Sequence, residues 1–171
     1  MQKLILLLAL VSVSFIDAQA FIGKNDNKFQ VGANLQDNGT GINISYDFGI
    51  GENISIGLSS TYLLGVNDAL KNNMVDALNA EFDNRFDVRA RFNANLGNVI
   101  NVDENFDVYP GLSLGLKNFG GHLGARYFFT DGFGIYTELN APFAKYKSGA
   151  LTAAEMLHNQ FTVNLGACFN L

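Results

Sequence analysis

Residues 85–96 read R-F-D-V-R-A-R-F-N-A-N-L, and every second side chain, Phe86, Val88, Ala90, Phe92, Ala94 and Leu96, is apolar. Between them stand Arg85, Asp87, Arg89, Arg91, Asn93 and Asn95, all charged or amide. Successive side chains of a β-strand point to opposite faces, so this segment carries one hydrocarbon face and one ionic face, whereas a helix would scatter both around its axis. The run is longer than the half-buried strand of an ordinary soluble domain. It matches the roughly 9–11 residues that a tilted strand needs to cross a bilayer.

The pattern recurs in both directions. Upstream, Phe29, Val31, Ala33 and Leu35 alternate with Gln30, Gly32, Asn34 and Gln36; beyond the expected turn Asp37-Asn38-Gly39-Thr40, Ile42, Ile44, Tyr46 and Phe48 alternate with Asn43, Ser45 and Asp47. Gly49 to Glu52 turns into a third strand with Ile54, Ile56, Leu58, Ser60 and Tyr62 on the apolar face. Downstream, Gly97 to Glu104 is a turn, and a fifth strand sets Phe106, Val108, Leu112, Leu114 and Leu116 against Asp107, Tyr109, Ser113 and Lys117. Pro110 has no N–H to give a ladder, so a bulge or an unpaired carbonyl is expected there. After a tight connection at Asn118 to Gly121, Leu123, Ala125, Tyr127 and Phe129 oppose His122, Gly124, Arg126 and Phe128. Thr130-Asp131-Gly132 leads to Phe133 through Phe143, opposed by Tyr136, Glu138 and Asn140, and Phe161 to Leu171 closes the chain in the same rhythm. Two stretches break the period, Leu64 to Glu81 and Ala144 to Asn159. Both are expected to be long loops with a helical turn or two, the first with Leu70, Met74 and Leu78 at helical spacing, the second at Thr152 to His158.

Over these eight segments the first face carries no Asp, Glu, Lys or Arg, while the second collects Asp47, Arg85, Asp87, Arg89, Arg91, Asp107, Lys117, Arg126 and Glu138. A charge against lipid at mid-depth costs roughly 2–4 kcal/mol, so an unbroken uncharged band is what a bilayer selects. A soluble ligand-binding barrel would put the apolar face inside. The expected fold is therefore all-β: an eight-stranded antiparallel up-and-down transmembrane β-barrel, one domain over residues 21–171. The two long loops, the third and seventh connections, fall on one side, with the second, fourth and sixth connections and both termini on the other. Met1 to Ala20, with Lys3, the apolar run Leu4 to Ile16 and the triplet Ala18-Gln19-Ala20, reads as a cleavable signal peptide. Beyond it no apolar run approaches the roughly 20 residues of a transmembrane helix. A formal charge of −5 offers no basic footprint for nucleic acid. The single Cys168 excludes an intramolecular disulfide and a multi-cysteine metal site.

The signal, the alternating segments and the ending F-N-L resemble small outer-membrane barrels of the OmpA/OmpX type across the whole mature chain. K-F-Q-V-G-A-N (28–34), G-T-G-I-N-I-S-Y-D (39–47) and E-N-I-S-I-G-L-S-S-T-Y (52–62) look more specifically like an uncharacterised family of small barrels from Bacteroidota. The resemblance implies an outer-membrane location with outer-membrane lipid around the barrel. It also implies recognition of the closing strand by barrel-insertion machinery, although that signal usually finishes on Phe and here finishes on Leu171. It implies no substrate.

The inward charges nearly cancel, five cations against four carboxylates, and are expected to pair into a plug; an open pore would carry an excess of one sign in a wider barrel. Lipid-modifying barrels need His, Ser and an acid near the outer leaflet. His122 has Gly124 rather than Ser at i+2, and His158 lies in a loop near Ser148 and Glu155, so both read as satisfied or solvated polar residues. No catalytic residue, cofactor site or metal site is assigned, since no glycine-rich phosphate motif occurs and the carboxylates are too scattered for a calcium loop. The expectation is a non-enzymatic barrel with a structural or surface-interaction role. Any surface partner would meet residues 64–81 or 144–159. A narrow pore and a lipid-modifying enzyme are the alternatives.

Overall fold

The computed structural model describes residues 19–71 and 79–171. Eight strands form: β1 (Asn27–Gln36), β2 (Gly39–Gly49), β3 (Ile54–Val66), β4 (Phe86–Ala94), β5 (Phe106–Gly115), β6 (Asn118–Thr130), β7 (Phe133–Lys145) and β8 (Thr162–Asn170). Each pairs antiparallel with its sequence neighbours, and β8 returns to β1 from Lys28↔Asn170 to Leu35↔Val163, so the barrel closes and leaves no edge strand. No helix of the described residues is long and apolar enough to cross a membrane. The expected signal segment lies outside the described residues except for Gln19 and Ala20, as do Met74 and Leu78 of the first long loop.

Period-2 alternation sorts the side chains. Ile44, Ile56, Leu58, Leu114, Leu123, Ile135 and Leu165 stand exposed on the outer surface, while Gln30, Asn43, Asp47, Asn93, Arg126 and Glu138 are buried in the lumen. On the turn side of the outer surface the rings of Phe29, Phe169, Phe133, Phe129 and Tyr127 follow one another at centroid distances of 5.5–6.3 Å. Inside, small residues make room for large ones. A Cβ on Gly124 would overlap the Tyr109 ring, and one on Gly111 would overlap His122.

Several boundaries differ from the sequence expectation. Arg85 is not a strand residue; it ends a 3-10 turn (Asp83–Arg85), and its Nε donates to the Ala80 carbonyl at 2.8 Å. The ladder between β3 and β4 begins at Tyr62↔Phe86. β6 already starts at Asn118, which leaves Leu116-Lys117 as the turn and puts Lys117 at the barrel lip rather than in the lumen. Gly39 and Thr40 belong to β2, so the turn is Asp37-Asn38 alone, and neither residue has a positive φ; a bulge in the neighbouring β2–β3 ladder leaves Leu64 of β3 unpaired opposite Thr40/Gly41. No bulge marks Pro110. It pairs in register with Leu123 of β6, while on the other side the β4 ladder stops at Asn93↔Gly111 and the contact resumes with Leu96 N donating to Val108 O at 2.9 Å, so the missing donor interrupts the β4 side.

Both ends of the barrel are covered. On the loop side, Leu63 and Val66 at the end of β3 pack with Leu70, Ala80 and the helix α2 (Ala153–His158) through Ala153 and Leu157. On the turn side, the chain before β1 folds back beside the short helix α1 (Gly97–Ile100): Ala20 N donates to Glu104 O at 2.7 Å and Asn98 Nδ2 to Phe21 O at 2.9 Å. Ala20 enters a small core with Phe128, Tyr136 and Cys168.

Candidate functional site

The lumen is a column of ion pairs. Nearest the turn side, Lys28 pairs with Asp26, and its ammonium faces the rings of Phe21 and Phe128. Next, Arg126 of β6 donates to Asp107 Oδ2 (2.7 Å) and Asn95 Oδ1 (2.8 Å), with its guanidinium 4.7 Å from the centroid of Tyr109. At mid-height Arg91 of β4 reaches Glu138 of β7 at 2.6 Å and Asp47 of β2 at 3.0 Å, the second contact an ion pair without hydrogen-bond alignment. Near the loop side Arg89 holds Asp87 at 2.7 Å. Alternation puts Asp87, Arg89 and Arg91 on the same inner face, so Arg89 finds its acid two residues away on β4, while barrel closure brings Asp47 and Glu138 to Arg91 from other strands.

Of the nine residues expected in an interior network, Asp47, Asp87, Arg89, Arg91, Asp107, Arg126 and Glu138 meet here. Arg85 and Lys117 stand apart, for the boundary reasons given. Lys28 and Asp26 were missed. Lys28 was legible by parity with Gln30 and Asn34; Asp26 was not, because it precedes the strand and reaches Lys28 through the folded-back segment, where its Oδ2 also accepts from Ile22 N. The column thus holds Lys28, Arg89, Arg91 and Arg126 against Asp26, Asp47, Asp87, Asp107 and Glu138, four cations to five carboxylates.

Beside it, His122 makes contacts that sequence spacing did not reveal. Its Nδ1 lies 2.8 Å from Ser113 Oγ and its Nε2 2.7 Å from Asn93 Oδ1. An amide oxygen only accepts, so Nε2 carries the proton and Nδ1 accepts from the serine hydroxyl. This order of groups resembles a Ser-His-Asn catalytic relay. However, Ser113 and His122 are buried, Gly111 is pressed against the imidazole, and Arg91 Nη2 stands 3.4 Å from Nε2.

Above the column a polar cavity lined by Asn34, Asn43, Thr61, Arg89, Asn140 and Asn164 ends beneath α2. Thr152 and Glu155 cap α2 reciprocally. The Thr152 backbone N–H, with the Thr152 hydroxyl and Lys147, holds the Glu155 carboxyl at about 2. The helix end is pinned to the rim: Asn118 Nδ2 and Arg89 Nη2 donate to His158 O at 2.8 and 3.2 Å, and Gln36 Nε2 donates to Leu157 O at 2.7 Å. His158 takes the satisfied of its two expected states: it is buried, its Nε2 meets Asn84 O at 3.0 Å, and burial lowers its pKa below the usual 6.5. Among the described residues no three His, Cys, Asp or Glu are grouped to hold a metal ion.

The model of a protein family of unknown function, DUF6646, matches residues 11–171. No curated protein matches the chain. Among solved structures, one from the de novo design of transmembrane β-barrels is similar with a TM-score of 0.55 at 8% identity, over 86% of this chain and 97% of that one. Outer Membrane Protein G from Pseudomonas aeruginosa aligns over 88% of this chain and 99% of its own at 9% identity, with a TM-score of 0.47. The first likeness places the fold among barrels of the transmembrane type.

Proposed function

We propose that this chain, which belongs to the DUF6646 family, is an outer-membrane barrel that neither catalyses nor conducts in its resting state, and that acts as a structural or surface-interaction protein through the cover on its loop side. The observation that carries the reading is the pairing of an uncharged outer face with a lumen filled by ion pairs and closed at both ends. Uncharged strand faces suit lipid. In the lumen each ion pair must part before anything passes, and parting a buried pair costs several kcal/mol. The export signal in this reading lies within residues 1–20, with cleavage after Ala18 rather than Ala20 so that Ala20 keeps its place in the turn-side core, and the closing strand Phe161 to Leu171 is what insertion machinery would engage. The cover, whose described part is residues 64–71, 79–81 and 144–159, is the surface on which a partner would act.

Planar-bilayer recording tests it. The intact barrel is expected to be silent and the Glu138→Ala variant, which leaves Arg91 with Asp47 alone, to leak; steady conductance by the unaltered chain would favour the pore instead. An acyl-transfer role would show as a change in membrane lipid masses that disappears in His122→Ala, and no such change is expected.

A further inference from the structure

We infer that the loop between β3 and β4 stands on the lipid interface through Phe82, so that the cover over the barrel mouth is anchored to the membrane as well as to the barrel. The inference rests on the outer face being lipid-facing. Phe82 is 75% exposed, yet its ring is not free in its surroundings: it lies 5.2 Å from the ring of Tyr62. Tyr62 and Phe86 form the last rung of the β3–β4 ladder on the outward face, and Leu64, the next outward residue, is 60% exposed. Tyr62, Leu64, Phe82 and Phe86 therefore carry the apolar outer band past the end of the sheet without a break. An aromatic ring kept out of the loop core, and packed at a tilt against an outward tyrosine, belongs where acyl chains give way to headgroups. Continuity with that band identifies the occupant as lipid.

The same residue is wired to the cover. Phe82 caps the 3-10 turn whose Asn84 carbonyl faces His158 Nε2 of α2 at 3.0 Å, and Arg85 Nε of that turn holds the carbonyl of Ala80, which packs against α2 in the loop core. Lipid contact at Phe82 thus fixes the turn that locks α2 over the mouth.

The chain has no Trp, so Phe82→Trp and, as a mid-strand reference on the outward face, Leu58→Trp each give a single fluorescent reporter. Both variants are refolded into phosphatidylcholine vesicles brominated at defined acyl depths, with iodide as the aqueous quencher. Leu58→Trp is expected to be quenched by deep bromines and untouched by iodide. Phe82→Trp is expected to be quenched most by shallow bromines, to emit blue of the unfolded chain and to resist iodide several-fold better than it. If Leu58→Trp behaves so while Phe82→Trp is quenched by iodide as in the unfolded chain, or by neither agent, the anchor is overturned and the lipid-facing barrel stands. If iodide alone quenches both, the barrel reading falls and the anchor with it.

Discussion

Arg91 shows what a single residue does in this lumen. Its guanidinium bridges β4 to Asp47 on β2 and to Glu138 on β7, and all three side chains are buried. Replacing it by leucine strands two carboxylates without a counter-charge, which costs about 3–5 kcal/mol. Arg91→Leu should therefore lower the urea midpoint of the vesicle-inserted barrel, and Arg91→Leu with Asp47→Asn and Glu138→Gln should recover much of that loss by removing the orphaned charges. Parity in the sequence marked Arg91 as inward, as it did Arg89 and Arg126. It could not name the acids of Arg91, since a strand's own residues say nothing about what closure brings from β2 and β7; Asp87 beside Arg89 on β4 and Asp107 opposite Arg126 in the β5–β6 hairpin are local partners. The Ser113–His122–Asn93 contacts were hidden for the same reason: the three residues come from three strands, and only register brings them together.

At the scale of elements, α2 is the part whose stability responds to conditions. Removing the capping hydroxyl in Thr152→Ala should cost about 1 kcal/mol, read as roughly fivefold faster amide exchange at residues 153–158. Acid should act on the same helix. Glu155 titrates at about 2 in the folded cover against 4.5 ordinarily, so its contribution is complete above 4.5 and is lost as pH falls towards 2. His158 is also depressed, by burial, so its contribution is present above 6.5 and is lost as pH falls through its folded value. Both signs agree: exchange at residues 153–158, corrected for intrinsic rates, should accelerate on acidification below 6.5 while the strands stay protected. The capping box was legible as Thr152 followed by Glu155, but its docking was not, because Asn118, Arg89 and Gln36 come from three different strands.

The molecule as a whole exposes its cations unevenly. Lys145 at the end of β7 and Lys147 between β7 and α2 stand exposed, while Lys28, Arg91 and Arg126 are buried in the lumen. Trypsin added to intact cells should cut near Lys147 and spare the strands if the long loops face outward; protection of Lys147 until the membrane is opened would reverse the orientation. Alternation along 85–96 and its repeats determined the number of strands, their inner and outer faces and the antiparallel order, because side-chain parity is a local property of extended backbone. The tertiary structure decided the rest. It determined that Arg91 meets both Asp47 and Glu138, that Arg85 and Lys117 fall outside the column, that the chain before β1 folds back under the turn-side mouth, and that two loops far apart in sequence share one apolar core. Those contacts depend on the stagger between strands and on the width of the lumen, and neither is written in any one stretch of the chain.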